Sequence, residues 1–227
     1  MARVAAAIFD AYGTLLDVHS AMARHAARLG PEWPRISQDW RSKQLEYTWV
    51  RSLAGRHRDF SELTDEALRF TAARHGIRDP ELLQEIGRAY RALDAYPEVV
   101  DTLARLRRQG IARAILSNGT PAMLAEGVAA AGIADLLDDV LSVEAIGVFK
   151  PHAAVYRLAC DRFGVAAEEL AFLSSNAWDA FGAQAFGFRV FWVNRAGQPD
   201  EYGLRGPDLP NRARELADLT ELPDLLA

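Results

Sequence analysis

The sequence predicts an α/β fold in which a mostly parallel sheet, covered by helices on both faces, carries a helical insertion after its first strand. Three observations predict it. Apolar runs alternate with helical periodicity from residue 97 onward, residues 18 to 95 are helical throughout, and every apolar run stops at a small polar cluster. In order, Val4 to Phe9 is a continuous apolar run that halts at Asp10, the pattern of a strand buried on both faces. Within the insertion, start signals fall at Ser20, Ser37, Thr64 and Asp79-Pro80, and stop signals at Gly30, Gly55 and Gly76. The alternation then runs as helix Pro97 to Gln109, strand Ala112 to Leu116, helix Pro121 to Ala131 and strand Val140 to Val143. It continues as helix Ala153 to Phe163, strand Leu170 to Leu173, a short helix near Asp179 and strand Val190 to Val193. Gly197 to Asn211, rich in Gly, Pro and Asp, predicts a loop without chemistry before a short terminal helix.

With half of its 227 residues apolar and a quarter charged, the chain can bury a core without staples. A net charge of -5, with Lys and Arg scattered, argues against a nucleic-acid or anionic-membrane partner. Cys160 is the single cysteine, so neither an intrachain disulfide nor a cysteine-based zinc site can form; a reducing compartment, the cytoplasm, is the expectation. The first apolar run is too short for a signal-peptide core, and no later run approaches a membrane span.

In a parallel sheet, all the strand ends converge on one crevice. The polar clusters at those ends are Asp10 to Thr14, Ser117-Asn118-Gly119, Lys150-Pro151 and Ser174 to Asp179. Together they would assemble two carboxylates, a lysine, hydroxyls and amides. These clusters resemble the four motifs of the haloacid dehalogenase superfamily. With the segment Trp40 to Trp49 added, the chain most resembles the L-2-haloacid dehalogenases of type II. The resemblance implies a Rossmann-like core over 1–17 and 96–227, a helical cap over 18–95, an aspartate nucleophile and a homodimer.

Most members of that superfamily are phosphatases. They place a second Asp two residues after the nucleophile and hold magnesium with another Asp in the fourth motif. Here those positions carry Tyr12 and Ser175. A hard cation wants several anionic oxygens, so no metal and no cofactor is expected. Halide displacement needs neither metal nor acid, because the leaving group departs as a stable anion. Asp10 must then be ionised, aimed and partly stripped of water. Lys150 would favour its charged form, and Thr14 would hold one oxygen.

The resemblance further assigns Tyr156 to the same pocket, although its periodicity also fits a helix core. It puts Arg41 at the halide, with Asn118 and the edge of Trp178; a planar, weakly hydrated guanidinium suits such an anion. Gln44, Leu45 and Phe60 resemble pocket lining, with core packing the alternative for each, as for Tyr12. Arg56, His57 and Arg58 read as a solvated basic turn. Backbone N–H groups of Ala11, Tyr12, Ser117 and Asn118 would receive the substrate carboxylate. Asp179 would be either the base for ester hydrolysis or an orienting group for Lys150, with Ser174 and Asn176 placing water. The expected activity is conversion of (S)-2-haloalkanoic acids to (R)-2-hydroxy acids and halide through an ester on Asp10, with haloacetate or fluoroacetate left open. The alternatives are a metal-dependent phosphatase and a non-catalytic binding protein on the same fold.

Overall fold

The computed structural model describes residues 4–206 and 212–227. Its sheet has six parallel strands: β1 (Ala6–Phe9), β2 (Ala112–Ser117), β3 (Asp139–Ser142), β4 (Leu170–Ser174), β5 (Arg189–Val193) and β6 (Arg214–Leu216), in the order β3-β2-β1-β4-β5-β6. All four residues of β1 are buried because β2 and β4 flank it, Phe9 pairing in register with Ile115 and Leu173. The strand order reverses beside β1, so the crevice at the carboxyl ends opens there. Helices α6 (Val99–Arg108), α7 (Pro121–Ala130), α8 (Ala153–Phe163), α9 (Ala177–Phe186) and α10 (Leu222–Leu226) follow or connect the strands.

Between β1 and α6 lie α1 (Ser20–Ala23), α2 (Ala26–Leu29), α3 (Trp33–Leu53), α4 (Phe60–Arg74) and α5 (Pro80–Ala89), with α3 packed along α4. Asp79 caps α5 by accepting from Glu81 and Leu82 N–H, as its place before Pro80 predicts. Two predicted starts are corrected. Ser37 lies inside α3, which begins at Trp33 because Pro34 is tolerated in a first turn. Thr64 lies inside α4, which Asp59 caps; its hydroxyl turns back to Phe60 O at 2.7 Å. The predicted basic turn is also wrong at its centre. Arg56 and Arg58 are exposed, but His57 is half-buried, bonded to Glu144 at 2.9 Å and packed on Phe149.

The helical block is joined to the sheet by aromatics. Tyr12 stacks on Tyr90 (5.5 Å, 9°) and meets Phe60 at 5.6 Å, while Trp40 meets Tyr90 at 4.9 Å. Such pairs contribute about 0.5–1.5 kcal/mol each beyond their burial. Exposed ion pairs such as Arg24–Asp94 contribute about 0–1 kcal/mol, so packing holds the block in place. Strand β6 goes beyond the sequence reading, because Arg214-Glu215-Leu216 is too short and polar to register as an apolar run. Part of the predicted loop, residues 207–211, lies outside the described residues. Among the described residues no helix is long and apolar enough to cross a membrane.

Candidate active site

The first turn after β1 sets the site. Asp10 N–H still pairs with Leu173 O at 2.9 Å, so the carboxylate leaves the sheet in strand register. The chain then doubles back: Ala11 O accepts from Leu15 and Leu16, and Gly13 takes φ 90°, a conformation costly for any residue with a Cβ. This return brings Thr14 Oγ1 to 3.1 Å from Asp10 Oδ2. That oxygen also receives Asn176 Nδ2 at 2.7 Å and Ser174 Oγ at 3.5 Å, both from the end of β4. The other oxygen faces Lys150 Nζ at 3.1 Å.

Lys150 is 1 % exposed and spans two carboxylates, reaching Asp179 Oδ2 at 2.7 Å. Burial alone would push its ammonium down, but Asp10 and Asp179 outweigh that and hold it above the usual lysine value. Asp179 is fully buried, and desolvation pushes its carboxyl up to about 6 against the opposing pull of Lys150. Its second oxygen is taken by the Tyr156 hydroxyl at 2.8 Å. The Tyr156 phenol is itself pushed far up, by burial and then by Asp179, so it stays a donor.

Tyr156 therefore stands behind Asp179 rather than in a pocket with Asp10, packed on Phe172 at 5.6 Å. Of the two readings the sequence leaves open, the helix-core one describes its packing, and its hydroxyl still reaches the site through Asp179. Gly182 permits this. A Cβ there would sit 2.6 Å from Pro151 Cβ and closer still to the Tyr156 hydroxyl. Gly182→Ala is expected to cost about 1–3 kcal/mol, read as a fall of about 2–12 °C in Tm; an unchanged melt would show that the backbone yields freely.

The crevice also receives α3. Arg41 donates to Gln44 Oε1 at 2.7 Å, Tyr12 O at 3.3 Å and Asn176 Oδ1 at 3.5 Å. Arg41, Leu45, Asn176 and Trp178 line one cleft of about 340 Å³. The structure departs from the expected halide cradle in one respect: Arg41 reaches Asn176, whereas Asn118 Oδ1 accepts Lys150 N–H at 3.0 Å. Ser117 Oγ accepts Gly119 N–H at 3.2 Å. Gln44 and Phe60, each 1 % exposed, fit the packing alternative rather than the lining one, and Tyr12 is 3 % exposed between Phe60 and Tyr90. Trp178 packs edge-on to Trp49 at 5.4 Å.

Arg195 was missed. Its guanidinium donates to Gly13 O at 3.2 Å and Thr14 O at 2.9 Å, pairs with Glu98 and lies 3.8 Å over the Tyr96 ring. It clamps the turn that follows Asp10. The signal was available, since Arg195 follows β5 as the other site clusters follow their strands.

A divalent cation does not fit this donor set. Lys150 Nζ already stands between Asp10 and Asp179, and the Ser175 hydroxyl is spent on Gly13 O at 2.7 Å. Among the described residues no group of three His, Cys, Asp or Glu side chains could hold a metal ion.

A buried aspartate at the end of the first strand, bridged by a lysine to a second aspartate beneath a helical block, defines a Rossmann-like α/β hydrolase. The model of the haloacid dehalogenase-like hydrolases matches residues 4–187. The chain is 44% identical over 227 residues to (S)-2-haloacid dehalogenase 1 of Pseudomonas sp. (strain CBS-3), covering 100% of this chain and 98% of that one. A solved dehalogenase superposes with a TM-score of 0.95 at 42% identity, covering 100% of this chain and 99% of that one. The L-2-haloacid dehalogenase of Xanthobacter autotrophicus, solved with chloropropionic acid covalently bound, superposes with a TM-score of 0.86 at 38% identity and 98% coverage of both chains. The chain belongs to the haloacid dehalogenase-like hydrolases and, within them, to the (S)-2-haloacid dehalogenase family.

Proposed function

We propose that this chain hydrolyses (S)-2-haloalkanoic acids to (R)-2-hydroxy acids and halide through an ester on Asp10, without metal or cofactor. The observation that carries the reading is an Asp10 charge-paired with Lys150 while Tyr12 and Ser175, the latter's hydroxyl spent on Gly13 O, stand where the phosphatase pattern places carboxylates. Asp10 attacks C2 from the side opposite the halide, the C–halogen bond breaks, and the anion departs toward Arg41. The substrate carboxylate is received by backbone N–H groups of Ala11, Tyr12, Ser117 and Asn118. Water then attacks Cγ of the ester, and the hydroxy acid leaves with the oxygen that Asp10 supplied.

Both oxygens of Asp179 are committed, one to Lys150 and one to Tyr156, which supports the orienting role first. It remains the carboxylate available to take the water's proton, with Ser174 and Asn176 holding that water beside Asp10. Either role needs the ionised form, so kcat should fall on acidification with a limb near 6. Tyr156→Phe removes a hydrogen bond that favours the carboxylate. The acid limb should therefore move upward; an unmoved limb would reduce Tyr156 to packing.

We also propose the division read from the sequence, with a core of 1–17 and 96–227 and a cap of 18–95 that brings Arg41 and Leu45 to the crevice. A cytoplasmic homodimer follows from the family likeness and the lone Cys160. Haloacetate and fluoroacetate are further substrate candidates. Halide released from 2-chloropropionate, measured by ion chromatography with and without EDTA, tests the reading. Release should survive chelation. Release that is lost on chelation and restored by magnesium would overturn the metal-free mechanism, and absence of release in both would leave the phosphatase or a binding protein, which phosphate release from a phosphomonoester in magnesium separates.

A further inference from the structure

Arg41 makes its bonds to neutral oxygens: Gln44 Oε1, Tyr12 O and Asn176 Oδ1. Among the described residues no carboxylate pairs with it, so its full charge faces the cleft. The shortest of the three bonds, 2.7 Å, is to a side chain that is itself sealed from solvent.

The orientation of that amide follows from its neighbours. Thr64 Oγ1 lies 2.7 Å from Phe60 O, which can only accept, so the hydroxyl proton is spent there. The Thr64 oxygen is then an acceptor, and Gln44 must present its NH2 to it, at 2.6 Å. The amide oxygen is thereby turned to Arg41, and the Tyr90 hydroxyl, at 3.1 Å, donates to the same oxygen. A flipped amide would set its NH2 against the guanidinium and its oxygen against a Thr64 oxygen that has no proton left to give. Phe60, Thr64, Gln44 and Arg41 thus form one directed chain from the first turn of α4 to the cleft.

We infer that Gln44 is a positioning residue that aims the Arg41 guanidinium while leaving its charge uncompensated for an anion, with Thr64 and Tyr90 locking the amide that does so. This rests on the proposed reception of the departing halide by Arg41. A glutamate at position 44 would have the same reach and accept a stronger bond, yet it would neutralise the charge the halide needs. The choice of amide over acid is therefore a matter of charge rather than shape.

The test is chloride binding to the resting protein, followed by chloride-35 NMR line broadening, which needs no turnover. Wild type should broaden the line and Arg41→Gln should not. Gln44→Glu should bind chloride about 10- to 150-fold more weakly at neutral pH, the equivalent of about 1.5–3 kcal/mol for a bond to a charged group. Binding should then return as the pH falls and the new carboxyl is protonated. The charged and titratable groups around it are Arg41, Tyr90, Tyr12 and Asp10, with Arg91 behind. Wild type has no carboxyl there to protonate, and His19, which lines the same cleft and feels Arg41, is common to every variant, so the recovery is read as the difference from wild type. Gln44→Met keeps the bulk but loses the acceptor, and should weaken binding at every pH.

If wild type and Arg41→Gln behave alike, the halide reading of Arg41 falls and this inference with it. If they differ but Gln44→Glu binds as wild type does at neutral pH, the inference alone falls. Should Gln44→Glu fail to give a cooperative melt, wild-type binding by Gln44→Met overturns it.

Discussion

Lys150→Met should lower halide release by about 100- to 1,000-fold, the loss typical when a fixed charge is removed from a reacting centre, and should also weaken the fold. The ammonium lies within 3.1 Å of Asp10 and 2.7 Å of Asp179, and neither carboxylate side chain is more than 7 % exposed. Removing one member of such a cluster costs about 3–5 kcal/mol, because the charges left behind are uncompensated. The pH dependence carries the sign. In wild type the raised Lys150 contributes stability that is fully present below the ordinary lysine value and is lost only as the pH rises through its higher folded value. Asp179, raised to about 6, has the same sign in a lower window: between about 4 and 6 the folded state holds a proton the unfolded state has released, so its contribution falls as the pH rises. Without Lys150 both carboxylates lose their counter-charge and this second effect grows. Denaturant unfolding should find the variant far weaker than wild type at pH 8 and much closer to it at pH 5. An equal deficit at both values would mean that Lys150 acts by packing alone.

How much of this was legible in the sequence depends on the range of each interaction. The strands were readable because β1, β2, β4 and β5 are buried on both faces and so are written as largely apolar runs, interrupted in β2 by Arg113 and opened in β5 by Arg189. Their ends located Asp10, Ser117 and Ser174, because a parallel sheet aligns its carboxyl termini. Lys150 follows a loop after β3, and only the motif picked it out. What the sequence could not show was which side chains meet across elements. Thr64 looked like a helix cap because Ser and Thr favour that place; its hydroxyl is instead used inside α4, and its oxygen serves Gln44. His57, set between two arginines, looked solvated, yet Glu144 lies 87 positions away in the chain and bonds it. Tyr156 carried the periodicity of a core residue and is one; its role comes from a single hydroxyl reaching Asp179 past the bare Cα of Gly182.

The oxygen atoms give the sharpest expected result. If Asp10 forms the ester, a single turnover in heavy-oxygen water with enzyme in excess should place the label in the Asp10 side chain and unlabelled oxygen in the 2-hydroxy acid. Direct attack by water on C2 would reverse both. Product configuration does not separate the routes, since each inverts C2 once. The geometry favours the ester. Asp10 is 5 % exposed, one of its oxygens is fixed by Thr14, Asn176 and Ser174, and the other faces Lys150. A carboxylate so aimed and desolvated gains the advantage that orientation gives to an intramolecular nucleophile, whereas water entering beside it has no comparable set of donors until the substrate is bound. Asp10→Ala should accordingly release no halide above the uncatalysed rate, because Lys150, Asp179 and Arg41 activate nothing without it. Mass spectrometry of the peptide holding Asp10 reads the outcome. A labelled Asp10 with an unlabelled product supports attack by the side chain, and an unlabelled Asp10 with a labelled product overturns the ester mechanism even if every other residue behaves as expected.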